Sequence, residues 1–236
     1  YDADLPARSG LGTSSSFAVA LLMGFHALKG KYVDRRRLAK EAIHLERVLC
    51  GESGGEQDQV AAAYGGLNKI EFKDDDFEVS PIVISRKRKD RMNDCLMMFF
   101  TGFSRFSFAI QSEHEKAIPA NEGRLMEILS LADQAEEILT NGDLDDFGRL
   151  LDHTWQLKRG LTSAVSTEAI DRFYAAAKSA GALGGKLLGA GGGGFLLLYV
   201  RPEDQPAVRG ALSQLKEIPF RFESGGARIL YYASED

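Results

Sequence analysis

The stretch Pro6-Ala7-Arg8-Ser9-Gly10-Leu11-Gly12-Thr13-Ser14-Ser15-Ser16, followed at once by an apolar-periodic run, decides how this chain is read. Glycine lets the backbone turn and approach a ligand in ways that other residues resist. A helix starting just behind it offers unpaired N–H groups and the positive end of its dipole. Together they make a cradle for an anion. The hydroxyls of Thr13, Ser14, Ser15 and Ser16 add donors, and a hydroxyl oxygen can also ligate Mg²⁺. The segment is not a Walker A loop, because no lysine follows the second glycine, and the dinucleotide fingerprint fails at Ser15. An ordinary glycine–serine loop with a capping serine fits the same residues, so the cradle needs support from elsewhere.

Outward from the loop, residues 14–29 predict a helix. Phe17, Leu21, Leu22, Phe25 and Leu28 recur at helical spacing, and Gly30 terminates it. Residues 34–50 predict a second helix, capped by Asp34, with Leu38, Ala42, Leu45 and Leu49 as its apolar stripe. Beside that stripe, Ala39, Ile43 and Glu46 share a face. A carboxylate there can point inward, where only a cation or hydrogen bonds would make it tolerable. Twelve residues later Asp58 stands between Gln57 and Gln59, at the start of a short helix and after a loop with three glycines. That loop can fold Asp58 back toward Glu46. Two carboxylates beside a phosphate loop suit phosphoryl transfer: one holds Mg²⁺ and the other accepts or orients the proton of the attacking hydroxyl. Spacing alone equally allows Glu46 to pair with a surface cation and Asp58 merely to cap its helix.

Residues 67–72 and 77–85 read as strands joined by an acidic turn. The basic run 86–91 reads as a solvated turn between two strands, and a boundary between halves falls near residues 85–93, dividing the chain into 1–88 and 89–236. A strand at 95–101 follows, then helices at about 104–115, 122–139, 144–159 and 167–180. A second glycine loop, residues 189–194, carries five glycines in six positions and runs into the continuous apolar stretch 195–200. Such a run costs backbone entropy. Beside so apolar a strand it marks the close approach of another backbone or a ligand. A helix at 205–215 and strands at 218–222 and 227–232 close the chain. The tail predicts an α+β half of ferredoxin-like arrangement.

Bulk properties agree with an enzyme of this kind. The 236 residues can bury a real core, and hydrophobic residues make up 44% of them against 27% charged. The net charge of −5 argues against a nucleic-acid binder. Two cysteines, Cys50 and Cys95, cannot form a disulfide framework, which fits a reduced, cytoplasmic protein. Neither they nor the four histidines show metal-ligand spacing. No apolar run is long enough for a membrane span.

The order of these elements resembles the GHMP kinase superfamily, which includes galactokinase, homoserine kinase, mevalonate kinase and phosphomevalonate kinase. Its phosphate motif, P-x-x-x-G-L-G-S-S-A, is matched by Pro6, by Gly10-Leu11-Gly12 and by Thr13-Ser14-Ser15, with threonine for the first serine and serine for the alanine. Its C-terminal glycine motif is matched by the run from Lys186 to Phe195. Within the superfamily the chain is most similar to the D-glycero-D-manno-heptose 7-phosphate kinases, through residues 55–68, 100–105, 155–159 and 184–195. Fucose-type sugar kinases share much of this pattern. The resemblance implies an α+β, two-domain fold, with a ribosomal protein S5-like N-terminal domain and a ferredoxin-like C-terminal domain.

The resemblance also implies roles. Pro6, Ser9, Gly10, Leu11, Gly12, Thr13, Ser14 and Ser15, with Gly191 and Gly192, would bind ATP. Ser14 and Glu46 would hold Mg²⁺, and Asp58 would be the base. Arg105, Lys158 and Arg159 are candidates for the phosphate of a sugar phosphate, with surface salt bridges as the alternative reading; Arg8 borders the nucleotide loop. A homodimer is compatible with the sequence. Members begin with an acceptor-binding motif and several strands ahead of the phosphate loop, so such a segment is expected before Tyr1. Two rivals share the scaffold: ATP-dependent decarboxylation of a mevalonate diphosphate, and a non-catalytic relative that binds ATP and sugar.

Overall fold

The computed structural model describes residues 10–74, 76–102 and 117–233, in two compact units. The first takes in Gly12–Pro81 and the stretch from Phe222. It contains α1 (Thr13–Leu28), α2 (Arg35–Ile43) continued by a π-helical turn (His44–Leu49), α3 (Gln57–Tyr64), and the antiparallel hairpin β1 (Asn68–Lys73) and β2 (Asp76–Pro81). Asp34 caps α2 by accepting a hydrogen bond from the Arg37 amide at 2.9 Å. The core is Val19, Val33, Leu38, Ala39, Ala42, Val60, Ala63 and Phe77.

Of the stripe expected on α1, Leu22 packs against this core. Phe17, Leu21, Phe25 and Leu28 are exposed, while Ser15, Ala18 and Val19 are buried. α1 packs against α2 and α3 through these smaller side chains, which let helix backbones come close. Leu21, Phe25 and Leu28 point away from that core. The expected closing strand at 227–232 is also absent. There the chain is pinned individually instead: the Gly66 amide donates to the Glu223 carbonyl at 3.0 Å, and the Ala227 amide to the Ala62 carbonyl at 3.1 Å. This anchors the stretch to the end of α3 rather than to a ladder.

The second unit takes in Ile82–Arg221 with Gly10 and Leu11. Its order is α4 (Arg86–Cys95), β3 (Leu96–Phe100), α5 (Glu122–Thr140), α6 (Leu144–Arg159), α7 (Glu168–Ser179), β4 (Gly184–Leu187), β5 (Phe195–Tyr199), α8 (Gln205–Ala211) and β6 (Lys216–Glu217). The strands form one antiparallel sheet in the order β4-β5-β3-β6. Trp155, Phe99, Ile170, Leu187, Leu196 and Leu198 fill its core. This is the α+β arrangement read from the sequence. The expected helix 104–115 lies outside the described residues. Among the described residues, no helix is long and apolar enough to cross a membrane.

Three local readings change. The basic run is a helix, α4, not a turn. Ser85 caps it, and Met92, Asn93 and Cys95 anchor its inner face. Arg88 is spent on the carbonyls of Ile138, Leu139 and Gly142 at the end of α5. The strand expected at 218–222 is not formed; a two-residue strand, Lys216–Glu217, lies just before it. Strand β4 was not foreseen, because two glycines open it. They are there for proximity: a Cβ on Gly184 would lie 2.0 Å from the Gly148 carbonyl of α6.

Gly184→Ala is therefore expected to destabilise this unit by about 1–3 kcal/mol through overpacking. Gly210→Ala, where a Cβ meets nothing within 4 Å, should be neutral or stabilising by up to about 1 kcal/mol. Urea unfolding followed by the fluorescence of Trp155, the only tryptophan, measures both.

Candidate active site

The first unit builds its site on the start of α1. Gly12 precedes the helix with a left-handed φ of 66°, and its carbonyl accepts from the Ser16 amide at 2.9 Å. No side chain caps α1, and its first turn holds no acidic residue. The N-terminal amides thus keep their donor capacity and the helix keeps its positive end uncompensated. Gly12 also touches Asp58: a Cβ at position 12 would lie 3.1 Å from the Asp58 Cγ. Backbone conformation and side-chain space both demand glycine there.

Glu46 is buried beside this loop, and the π-helical turn puts it there. The Cys50 amide donates to the Leu45 carbonyl at 2.9 Å, an i to i−5 bond that widens the turn by one residue. The phase of the helix shifts accordingly. Leu49, expected on the apolar stripe, is 68% exposed, while Glu46 is 5% exposed. The buried carboxylate is compensated by hydrogen bonds: Ser15 Oγ donates to Glu46 Oε2 at 2.7 Å, and Gln59 Nε2 donates to the same oxygen. Ser14, expected to share a metal with Glu46, is exposed, and the hydroxyl that reaches Glu46 is that of Ser15. Gln59 Oε1 and Ser53 Oγ are buried without a hydrogen-bond partner among the described residues.

Arg47 organises the loop between Glu46 and Asp58. Its guanidinium donates to the carbonyls of Glu52 at 3.2 Å, Ser53 at 3.3 Å and Gly55 at 2.6 Å. The glycine-rich loop is thereby folded so that α3 starts beside Gly12. Asp58 lies at the surface of the unit, yet protein atoms crowd its carboxyl. Burial pushes its pKa above the ordinary aspartate value; the Arg47 cation pulls it back and the nearby Glu46 adds to the rise.

The second unit holds the other glycine loop, residues 189–194. Gly10 belongs with this unit and meets the loop backbone to backbone: a Cβ on Gly189 would lie 3.0 Å from Gly10 Cα. The Gly192 amide donates to the Val165 carbonyl at 2.9 Å, and Gly191 packs on the same residue. The Thr101 amide and hydroxyl both donate to the Gly194 carbonyl, at 2.9 and 3.0 Å. Lys158 Nζ donates to the Gly189 carbonyl at 2.7 Å. Arg159 is committed elsewhere, to Asp171 at 2.6 Å. Pro6, Arg8, Ser9 and Arg105 lie outside the described residues. The sequence reading passed over Gln59, Arg47 and Lys186; for Gln59 the signal was its place one residue after Asp58.

A phosphate-loop helix backed by two carboxylates, and an α+β unit opened by a glycine loop, define a class. The chain belongs to the GHMP kinases: residues 1–66 match the GHMP kinases N terminal domain and residues 132–217 match the GHMP kinases C terminal domain, together more than half of the chain. It is 32% identical over 203 residues to the D-glycero-alpha-D-manno-heptose 7-phosphate kinase of Campylobacter jejuni, covering 84% of this chain and 60% of that protein. It is 31% identical to the L-fucokinase/L-fucose-1-P guanylyltransferase of Bacteroides fragilis, over 88% of this chain and 22% of that one. Among solved structures, a D-glycero-D-manno-heptose 1-phosphate kinase from Bacteroides thetaiotaomicron superposes with a TM-score of 0.75 at 31% identity, covering 94% of this chain and 64% of that chain. The chain thus spans less than two thirds of the length of these relatives.

The electrostatics give a direct check. In a carboxyl ¹³C titration, Asp58 should titrate above its ordinary value of 3.8. Arg47→Gln should move it higher and Glu46→Gln lower. The opposite order would contradict this assignment of causes.

Proposed function

We propose that this chain carries the core of an ATP-dependent sugar kinase that phosphorylates a sugar phosphate, the anomeric hydroxyl of D-glycero-D-manno-heptose 7-phosphate being the favoured acceptor. The observation that carries the reading is the meeting of an uncapped helix N-terminus with Glu46 and Asp58. The heptose phosphate kinases named among its relatives support the acceptor. The fucokinase, at nearly equal identity, is the specific rival.

In this reading the amides of Thr13, Ser14 and Ser15, with the hydroxyls beside them, hold the nucleotide phosphates. Asp58, in its ionised form, takes the proton of the acceptor hydroxyl. The freed oxygen bonds to the γ-phosphorus of ATP as the bond to the β–γ bridging oxygen breaks, leaving ADP. Gly12 keeps Asp58 close to the phosphate loop, which is the positioning that such a transfer needs.

The residues present also suit Mg²⁺. Glu46 Oε1 accepts no bond from the described residues, Gln59 Oε1 is buried without a partner, and the serine hydroxyls lie alongside; all are hard oxygen donors. Glu46, the hydroxyl of Ser14 or Ser15, and Gln59 would hold the ion. It would neutralise charge on the transferred phosphoryl group.

A panel of phosphorylated and free heptose, fucose and galactose, assayed for ATP-dependent product, tests the acceptor; turnover of fucose or galactose without heptose 7-phosphate would reject it. Asp58→Asn is expected to lower kcat by about 10²-fold or more, leaving the KM for ATP within a few-fold. Because Asp58 must be ionised and its pKa is raised, kcat/KM should fall on acidification through a limb above the ordinary aspartate range. An unaltered rate in Asp58→Asn removes it from the mechanism.

A further inference from the structure

The second unit holds two lysines that the transfer chemistry above does not use. Lys158 sits in the last turn of α6 and Lys186 lies in β4, the strand on which α6 packs. Both are half-buried. Lys186 is two residues from Gly184, whose Cβ position faces Gly148 and Asp152 of α6, so the Lys186 side chain is on the strand face that α6 covers, and its charge reaches Lys158. Among the described residues, no carboxylate pairs with either one. Several half-buried or exposed cations of this unit do have one: Lys178 pairs with Asp152, Arg159 with Asp171, Arg201 with Asp145, and Arg209 with Glu217. Among the described residues the Lys158 side chain has only the Gly189 carbonyl, at 2.7 Å, and the Lys186 side chain makes no hydrogen bond.

Two ammonium groups near each other, partly removed from water and without a counter-ion among the described residues, are costly in the fold. Burial lowers Lys158 to about 8, helped by the charge of Lys186, and burial lowers Lys186 as well. Neither ammonium is sealed off: the bond from Lys158 to the Gly189 carbonyl is exposed, and the Lys186 nitrogen is not among the fully buried atoms without a partner. The lysines flank the start of the glycine loop: Lys158 reaches the Gly189 carbonyl, and Lys186 lies in the strand that leads into the loop. A doubly charged anion compensates two cations at once, through short charge-assisted hydrogen bonds.

We propose that Lys158 and Lys186 form a binding site for a phosphate monoester dianion at the entrance of the 189–194 loop. Phosphate binding itself stands independently of the kinase activity. Assigning the phosphate to a reactant rests on the kinase reading, under which it is either the phosphate already on the acceptor or the terminal phosphate of the nucleotide.

Two measurements on the full chain test this. In the first, inorganic phosphate is titrated while lysine ¹⁵Nζ resonances are followed. Lys158 and Lys186 should shift together and saturably, and Lys186→Met should abolish the response at Lys158. Lys186→Met removes no hydrogen bond among the described residues, so unchanged Trp155 fluorescence should accompany it. Absence of a saturable shift at both lysines overturns the site, whether or not the chain is a kinase. In the second, steady-state kinetics of Lys186→Met separate the sources. A rise of about tenfold or more in the KM for the sugar phosphate, with the KM for ATP within twofold, assigns the acceptor phosphate. The reverse pattern assigns the nucleotide phosphate. A variant with both KM values unchanged overturns the site as part of the reaction. Lys186→Arg should restore much of whichever KM is lost.

Discussion

A carboxylate removed from water must be compensated, and in the first unit that requirement falls on Glu46. Ser15 of α1 and Gln59 of α3 both donate to one of its oxygens, so a single buried charge joins three helices. The arrangement depends on the π-helical turn, which rotates Glu46 inward and Leu49 outward. Once Glu46 is fixed, the start of α1 and the start of α3 are fixed with it. Gly12 and Asp58 then come into contact, and the uncapped amides of α1 lie beside two carboxylates. The amides at the start of α1 keep their donor capacity beside them, since no side chain caps that helix.

The second unit solves a different problem, that of bringing backbone against backbone. Glycines at 148 and 184 let α6 lie directly on β4, and Gly10 and Gly189 meet with no side chain between them. The cost in backbone entropy is recovered by the apolar sheet that the loop feeds, with Phe195, Leu196 and Leu198 fully buried. α6 lying on β4 also brings Lys158 near Lys186. The sheet, the loop and the lysine pair are thus consequences of one close-packed junction.

Much of this was legible in the sequence, because the glycine and hydroxyl pattern of residues 10–16 and the glycine run at 189–194 encode backbone requirements that few other residues meet. Leu144–Arg159 was readable because its apolar spacing agrees with its burial. Other features were not readable, for physical reasons. The apolar spacing of Phe17, Leu21, Phe25 and Leu28 announces a helix but not which side is covered. A π-helical turn leaves no mark in a pattern of period 3.6, so the inward turn of Glu46 could be suspected but not separated from a surface position. β4 was hidden because its glycines serve packing rather than strand propensity. The identity of the hydroxyl that meets Glu46, Ser15 and not Ser14, turns on helical phase, which three consecutive serines cannot disclose.

The central proposal is that residues 12–16 cradle the phosphates of a nucleotide with Glu46 and Asp58 behind them. Amide hydrogen exchange with and without MgATP tests it most directly. The account predicts slowed exchange at the amides of Thr13, Ser14 and Ser15, abolished by Gly12→Val. Nucleotide-dependent protection elsewhere in the chain, with these amides unchanged, would contradict it.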